Sequence, residues 1–340
     1  MTAFVTRYDF RAPGAALSRQ HEMFERCLEQ VVYLEEHGQD AIVLSEHHAT
    51  TDGYLPSPLV VAAAVAARTK TVSISVAALL ANLYDPLRLA EDIAVLDQLS
   101  GGRVTYTIGL GYRPEEYAMF GADWDARGSD IEETIAVLQQ AWSGQEFSYR
   151  GRTVRVLPTP HRPPVLFYGG GSPAAARRAA RLGLHFQPQA ADASLKEIYQ
   201  AECRAHGREP GLVLLPAPGP ATVFCSEDPD RFWADNGAYL LAEARGYNAW
   251  HNDNTSLVRD PSESVAAMRE RGTYAVLTPD DLIAACLSRE IRVVSSHPLC
   301  GGLPVEASWE SLRLVCETVM PAVAAARRSR VEGMTGIEPA

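Results

Sequence analysis

The chain has 340 residues, 46% of them hydrophobic and 21% charged, enough to bury a large core without disulfide or metal staples. Its formal net charge of -11 comes from 31 basic against 42 acidic side chains with no basic run, which argues against nucleic acid as a partner. The longest apolar stretch, Leu59 to Ala67, is too short to cross a bilayer, so no membrane insertion is expected.

Short β-rich runs then alternate with longer helical ones. Ala41–Leu44 reads as a strand and Pro58–Arg68 as a helix; Val72–Val76 and Pro86–Leu99 repeat the pair. Val104–Ile108 is followed by a helix over Ser129–Trp142, and Val165–Tyr168 by one over Pro173–Leu182. Strands over Ala221–Cys225 and Ile291–Ser295 and a closing helix over Trp309–Ala326 complete the series. Ser57-Pro58, Asp85-Pro86, Ser172-Pro173, Asp228-Pro229, Asp260-Pro261 and Thr278-Pro279 each set an N-cap oxygen before a proline that lacks the N–H a helix start would orphan. About eight such units with no linker-like break predict one (β/α)8 TIM barrel over residues 1–326.

Three stretches break the rhythm. Arg113–Gly128, Ser143–Pro164 and Gly237–Asp260 read as irregular insertions and as candidate substrate lids over the C-terminal face. Residues 327–340 are polar with Gly and Pro and read as a disordered tail. The six cysteines show no CxxC spacing and no secretory-signal pattern precedes them, so reduced, buried thiols in a cytoplasmic protein are expected.

In a barrel the chemistry sits at the carboxyl ends of the strands. The strand over 41–44 runs into Ser45-Glu46-His47-His48. Adjacent residues of an extended segment point to opposite sides, so His47 and His48 cannot chelate one metal together, and no metal is expected. Ala77-Ala78 and Asn82, after the next strand, offer small side chains against which a planar ligand or simply a tight neighbour can pack. Gly109-Leu110-Gly111 begins like a dinucleotide fingerprint, but Pro114 stands where the third glycine belongs. Gly169-Gly170-Gly171-Ser172, directly before a helix, suits a phosphate through backbone N–H groups and the helix dipole. Arg113 and Arg127 are candidate countercharges, and Tyr112, Tyr247, Trp250 and His297 are candidates to face a substrate or to pack.

These strings in this order resemble bacterial luciferase and its flavin-dependent relatives. The resemblance is dense from about residue 20 to 190, through Ser45–His48, Ala77-Ala78, Leu96–Arg103, Gly109–Tyr117 and Tyr168–Gly183. It resumes more loosely at Leu277–Asp281, Ser295–Pro298 and Val319–Pro321.

The resemblance implies a barrel binding reduced FMN at its mouth, with His47 catalytic. It implies a non-proline cis peptide at Ala77-Ala78 against the flavin ring, and Gly171 and Ser172 at the flavin phosphate. Arg127 falls one residue from a phosphate-binding arginine of the family. Gly109 and Leu110 replace the reactive cysteine and phosphate-binding arginine of luciferase, so light emission is not expected. The implied activity is a two-component monooxygenase in which O2 and FMN, reduced by a separate flavin reductase, oxidise a small organic substrate. The alternatives are hydride transfer with the deazaflavin F420 and a flavin-binding protein without catalysis. A homodimer is common in the family.

Overall fold

The computed structural model describes residues 2–250 and 259–335. It begins with β1 (Ala3–Tyr8), α1 (Leu17–Glu36), β2 (Ala41–Leu44), α2 (Pro58–Arg68), β3 (Ser73–Leu79), α3 (Pro86–Ser100) and β4 (Val104–Ile108). Then come α4 (Pro114–Phe120), α5 (Arg127–Ala141), the hairpin strands β5 (Phe147–Tyr149) and β6 (Arg152–Val154), β7 (Val165–Gly169), α6 (Pro173–Leu182), β8 (His185–Gln187) and α7 (Ala193–Ala205). The last third holds β9 (Thr222–Cys225), α8 (Pro229–Trp250), α9 (Val265–Arg271), β10 (Tyr274–Leu277), α10 (Pro279–Ser288), β11 (Val293–Ser296), α11 (Val305–Arg313) and α12 (Met320–Thr335).

Seven strands pair in parallel in the order β11-β1-β2-β3-β4-β7-β8, while β9 and β10 form a separate parallel pair. Side chains alternate across each strand. Ile42, Leu44, Ile74 and Val76 point outward and are fully buried, in one cluster with Val31 and Leu34 of α1, Val61 and Val65 of α2, and Leu89 and Ile93 of α3. Each such side chain stabilises the fold by about 1.5–3 kcal/mol. Their inward neighbours Val5, Val43 and Ser75 stay only half-buried. The sheet is a curled half-barrel, TIM-barrel-like but not closed. β9 lies against β11 without ladder hydrogen bonds among the described residues. The expected closed (β/α)8 ring therefore does not form among the described residues.

Several local expectations change as well. Residues 143–164 join the end of α5 to the start of β7, so they lie at the end opposite the mouth and cannot be a lid. The β4–α5 connection is the one over the mouth, and it carries α4. Up to Trp250, the stretch expected to be irregular from Gly237 is the second half of α8; the next eight residues lie outside the described ones. Asp260-Pro261 starts no helix, because Ser264 caps α9 instead, its oxygen accepting from Ala267 N. α12 continues to Thr335, past the Ala326 limit, and residues 336–340 lie outside the described ones. All six cysteines are free and buried. No described helix is long and apolar enough to cross a membrane.

Candidate active site

The strand alternation of β2 carries on past Leu44, sending His47 toward the mouth and His48 away from it. Glu116 of α4 is fully buried between them. Its Oε1 accepts from His47 Nδ1 at 2.8 Å, from His48 N at 2.9 Å and from Arg113 Nη1 at 3.1 Å. Burial pushes the Glu116 carboxyl upward, but the His47 bond and charge, the His48 N–H and Arg113 outweigh it, and the net shift is down. An ionised carboxylate only accepts, so His47 holds a proton on Nδ1 toward Glu116; its Nε2 lies 2.8 Å from the Tyr112 hydroxyl and accepts from it when the ring is neutral. Glu116, His47 and Tyr112 are one hydrogen-bonded string. Tyr54 and Trp250 close around the imidazole, with ring centroids 4.7 and 5.0 Å from it, and His47 is 6% exposed.

A second buried carboxylate ties this loop to β3. Glu46 accepts from His48 Nε2 at 2.9 Å and the Tyr84 hydroxyl at 2.7 Å through Oε1, and from Leu80 N at 2.7 Å through Oε2. Leu80 follows the Ala77-Ala78 peptide, which is cis, as the resemblance implied. The register of β3 on β4 shifts there. Gly109, just past the end of β4, permits this close approach, since a Cβ on it would stand 2.8 Å from the Ala78 Cβ. The Asn82 amide nitrogen donates to Arg127 O at 2.8 Å and Tyr117 Oη at 3.2 Å, while its Oδ1 is buried without a partner among the described residues.

At the end of β7, Gly170 adopts φ +144°, a conformation that L side chains rarely adopt, and a Cβ there would meet Ala175 at 2.7 Å. Gly171 has only Ala190, 4.0 Å away, near its Cβ direction. Ser172 caps α6, its oxygen accepting from Ala175 N at 3.2 Å. Arg127 does not turn toward this cradle. Its Nη1 donates to Trp124 O at 2.5 Å and its guanidinium stacks 3.9 Å above the Trp124 ring.

His297 is fully buried and stands apart from His47. Its Nδ1 accepts from Arg7 Nη2 at 3.0 Å, and its Nε2 lies 3.2 Å from Asp9 Oδ1. Arg11 pairs with Asp52 at 2.6 Å and lies 3.6 Å from the Glu243 carboxylate. Burial, with Asp9 beside it, raises the Glu243 carboxyl to about 7, although Arg11, His297 and Arg7 oppose this. Burial and Arg7 lower His297 to about 3. Glu243, His297 and Cys300 bring three ligand atoms within 4.8 Å of one another. Arg7 and Arg11 lie against the same groups, and two guanidiniums repel a cation from that point.

The structure therefore gathers His47 with Tyr112, places Ala77, Ala78 and Gly109 in one contact with Asn82 nearby, and puts Gly170, Gly171 and Ser172 in one turn. Arg127 meets Asn82 only through its backbone carbonyl, and His297 joins a separate buried cluster with Arg7 and Asp9. Sequence reasoning missed Glu46 and Glu116 as partners of the histidines, although both lay within strings singled out for other reasons.

A family model described as luciferase-like monooxygenase matches residues 6–295. The chain belongs to that family. An uncharacterized protein, y4wF, from Sinorhizobium fredii is 38% identical over 147 residues, 41% of this chain and 43% of that protein. An F420-dependent glucose-6-phosphate dehydrogenase from Gordonia bronchialis is 29% identical over 169 residues, 46% of this chain and 50% of its own length. The luciferase-like chain thus spans half or less of these curated relatives. Among solved structures, monooxygenase RslO1 from Streptomyces bottropensis aligns with a TM-score of 0.71 at 23% identity, over 94% of this chain and 99% of its own. The oxygenating constituent of 3,6-diketocamphane monooxygenase from Pseudomonas putida, in complex with FMN, aligns with a TM-score of 0.70 at 19% identity, over 94% and 98%. These two share the fold.

Proposed function

We propose that this luciferase-like chain is a flavin-dependent monooxygenase that oxidises a small organic substrate with O2 and FMN reduced by a separate reductase. The observation that carries the reading is the Glu116–His47–Tyr112 string, tied through His48 and Glu46 to the cis Ala77-Ala78 step. The residues fit a flavin: Gly109 leaves the alanine step unobstructed, Asn82 Oδ1 is a buried acceptor without a partner among the described residues, and Gly170 keeps open a turn that a Cβ would fill. Reduced flavin held there supplies the redox chemistry with oxygen. The chain's own residues bind it, orient it and exclude water. The Tyr112 oxygen, backed by His47, is where a proton is held or moved, and Glu116 fixes the His47 tautomer that allows this. Tyr54 and Trp250 wall the same point with aromatic surface, which suits an apolar substrate and keeps the site dry.

Anaerobic titration with reduced FMN, then admission of O2, tests the reading. Tight binding followed by oxygen uptake coupled to a product supports it. The second reading is hydride transfer with F420, favoured by the 29% identity to an F420-dependent dehydrogenase. Preferential binding of reduced F420 with no oxygen uptake selects that reading. Tight flavin binding without turnover of any substrate selects the third, a non-catalytic flavin-binding protein.

A further inference from the structure

Resting on the cofactor reading above, we propose that Arg178, not Arg127, is the cation that meets the cofactor's phosphate at the Gly170–Ser172 turn. Arg127 is committed to the Trp124 carbonyl and ring. Arg178 stands on α6, the helix that Ser172 caps, and helical side chains lean toward the N-terminus. Its guanidinium follows that lean. Nε donates to Glu132 Oε1 at 2.9 Å, Nη1 lies 3.4 Å from the Tyr168 hydroxyl, and Nη2 lies 3.0 Å from where a Cβ on Gly128 would stand. Glu132 is one turn further along α5 than Gly128, so the guanidinium climbs beside α5 until its tip is level with the first turn. Gly128 is the notch that admits it.

The charge is not cancelled. Arg181 shares the same Glu132 oxygen at 2.9 Å, and among the described residues neither guanidinium has a second carboxylate in ion-pair reach, so two positive charges face one negative. The Arg178 side chain is 19% exposed, open enough to reach an incoming anion and shielded enough for the interaction to count. A phosphate at the start of α6 would have the helix dipole on one side and this guanidinium on another.

The test compares ligands with and without the phosphate in equilibrium binding: FMN against riboflavin, and F420 against its phosphate-free deazaflavin nucleoside. The wild-type chain binds one phosphorylated ligand more tightly than its phosphate-free partner. Arg178→Gln weakens the phosphorylated ligand by about 10- to 100-fold and leaves the other within about twofold. Arg178→Lys recovers part of the loss, and Arg127→Gln leaves the preference intact. Because Arg178→Gln also strips Glu132 of a partner, Glu132→Gln is the control, and it keeps or raises the preference. Equal weakening of both ligands by Arg178→Gln, or loss of the preference in Arg127→Gln or Glu132→Gln, overturns the inference and leaves the cofactor reading standing. A wild-type chain that binds none of the four ligands overturns both.

Discussion

Replacing Glu116 with glutamine exchanges an ionised acceptor for a neutral amide of the same shape. Three donors converge on its Oε1, from His47, His48 and Arg113, and the carboxylate side chain is 0% exposed against 10% for Arg113. A hydrogen bond to a charged group contributes about 1.5–3 kcal/mol and a neutral one about 0.5–1.5, so losing the charge costs about 1 kcal/mol per donor and about 3 kcal/mol in all. That lies at the lower edge of the roughly 3–5 kcal/mol lost when one partner of a buried ion pair is removed. Adding Arg113→Met should return part of the loss, since no unpaired charge then stays buried. The folded carboxyl lies below its ordinary 4.5, so this stability is present above about pH 4.5 and is lost as pH falls through the folded value. Urea unfolding at a series of pH values is the assay. Glu116→Gln should unfold at lower urea than wild type at pH 7, and the two midpoints should converge as pH falls below about 4.5. Equal midpoints at pH 7, or a gap that persists in acid, would refute the ionised string.

Tyr112→Phe should move the His47 Nε2 resonance in 15N NMR toward that of an unbonded imidazole nitrogen while Nδ1–H stays in place; no movement would mean the contact is not made in solution. Gly109→Ala places a methyl 2.8 Å from the Ala78 Cβ, at an overpacking cost of about 1–3 kcal/mol, and should weaken flavin binding about tenfold. Unchanged flavin affinity in that variant would separate Gly109 from the cofactor site. Glu243 is raised to about 7, so wild type loses stability as pH climbs from 4.5 toward 7, and Glu243→Gln should flatten that limb of a melting-temperature profile. His297 is lowered from 6.5 to about 3, so its contribution is present above pH 6.5 and is lost as pH falls toward 3; His297→Gln should flatten the acid limb instead. Parallel profiles for wild type and either variant would disprove the corresponding shift.

What could be read in advance had local causes. The Asp85-Pro86, Ser172-Pro173 and Thr278-Pro279 pairs do start α3, α6 and α10, each with its side-chain oxygen on a backbone N–H two or three residues on. β2 and β4 have the limits that their β-branched runs suggested. Barrel closure was not readable, because alternation along each strand says which residues face in, not whether the last strand meets its neighbour. The charged groups under the mouth were hidden for a similar reason. Arg7, Asp9 and Arg11 alternate as charged residues at the spacing of one strand face, but that spacing does not name their partners His297 and Glu243, which stand more than 230 residues away. One signal was present in the sequence. Glu243, Tyr247 and Trp250 recur at i, i+4 and i+7, the spacing of a single helical stripe. A search for amphipathic helices looks for apolar residues at that spacing and passes over a stripe that mixes a carboxylate with two aromatics. The mixed stripe is what the site requires. Glu243 lies against Arg11, the Tyr247 hydroxyl meets that of Tyr54 at 2.8 Å, and Trp250 packs on His47 between the guanidiniums of Arg11 and Arg113. An all-apolar face at those positions would leave Arg7 and Arg11 buried with less compensating charge, so α8 crosses the mouth as a counter-ion and an aromatic wall at once.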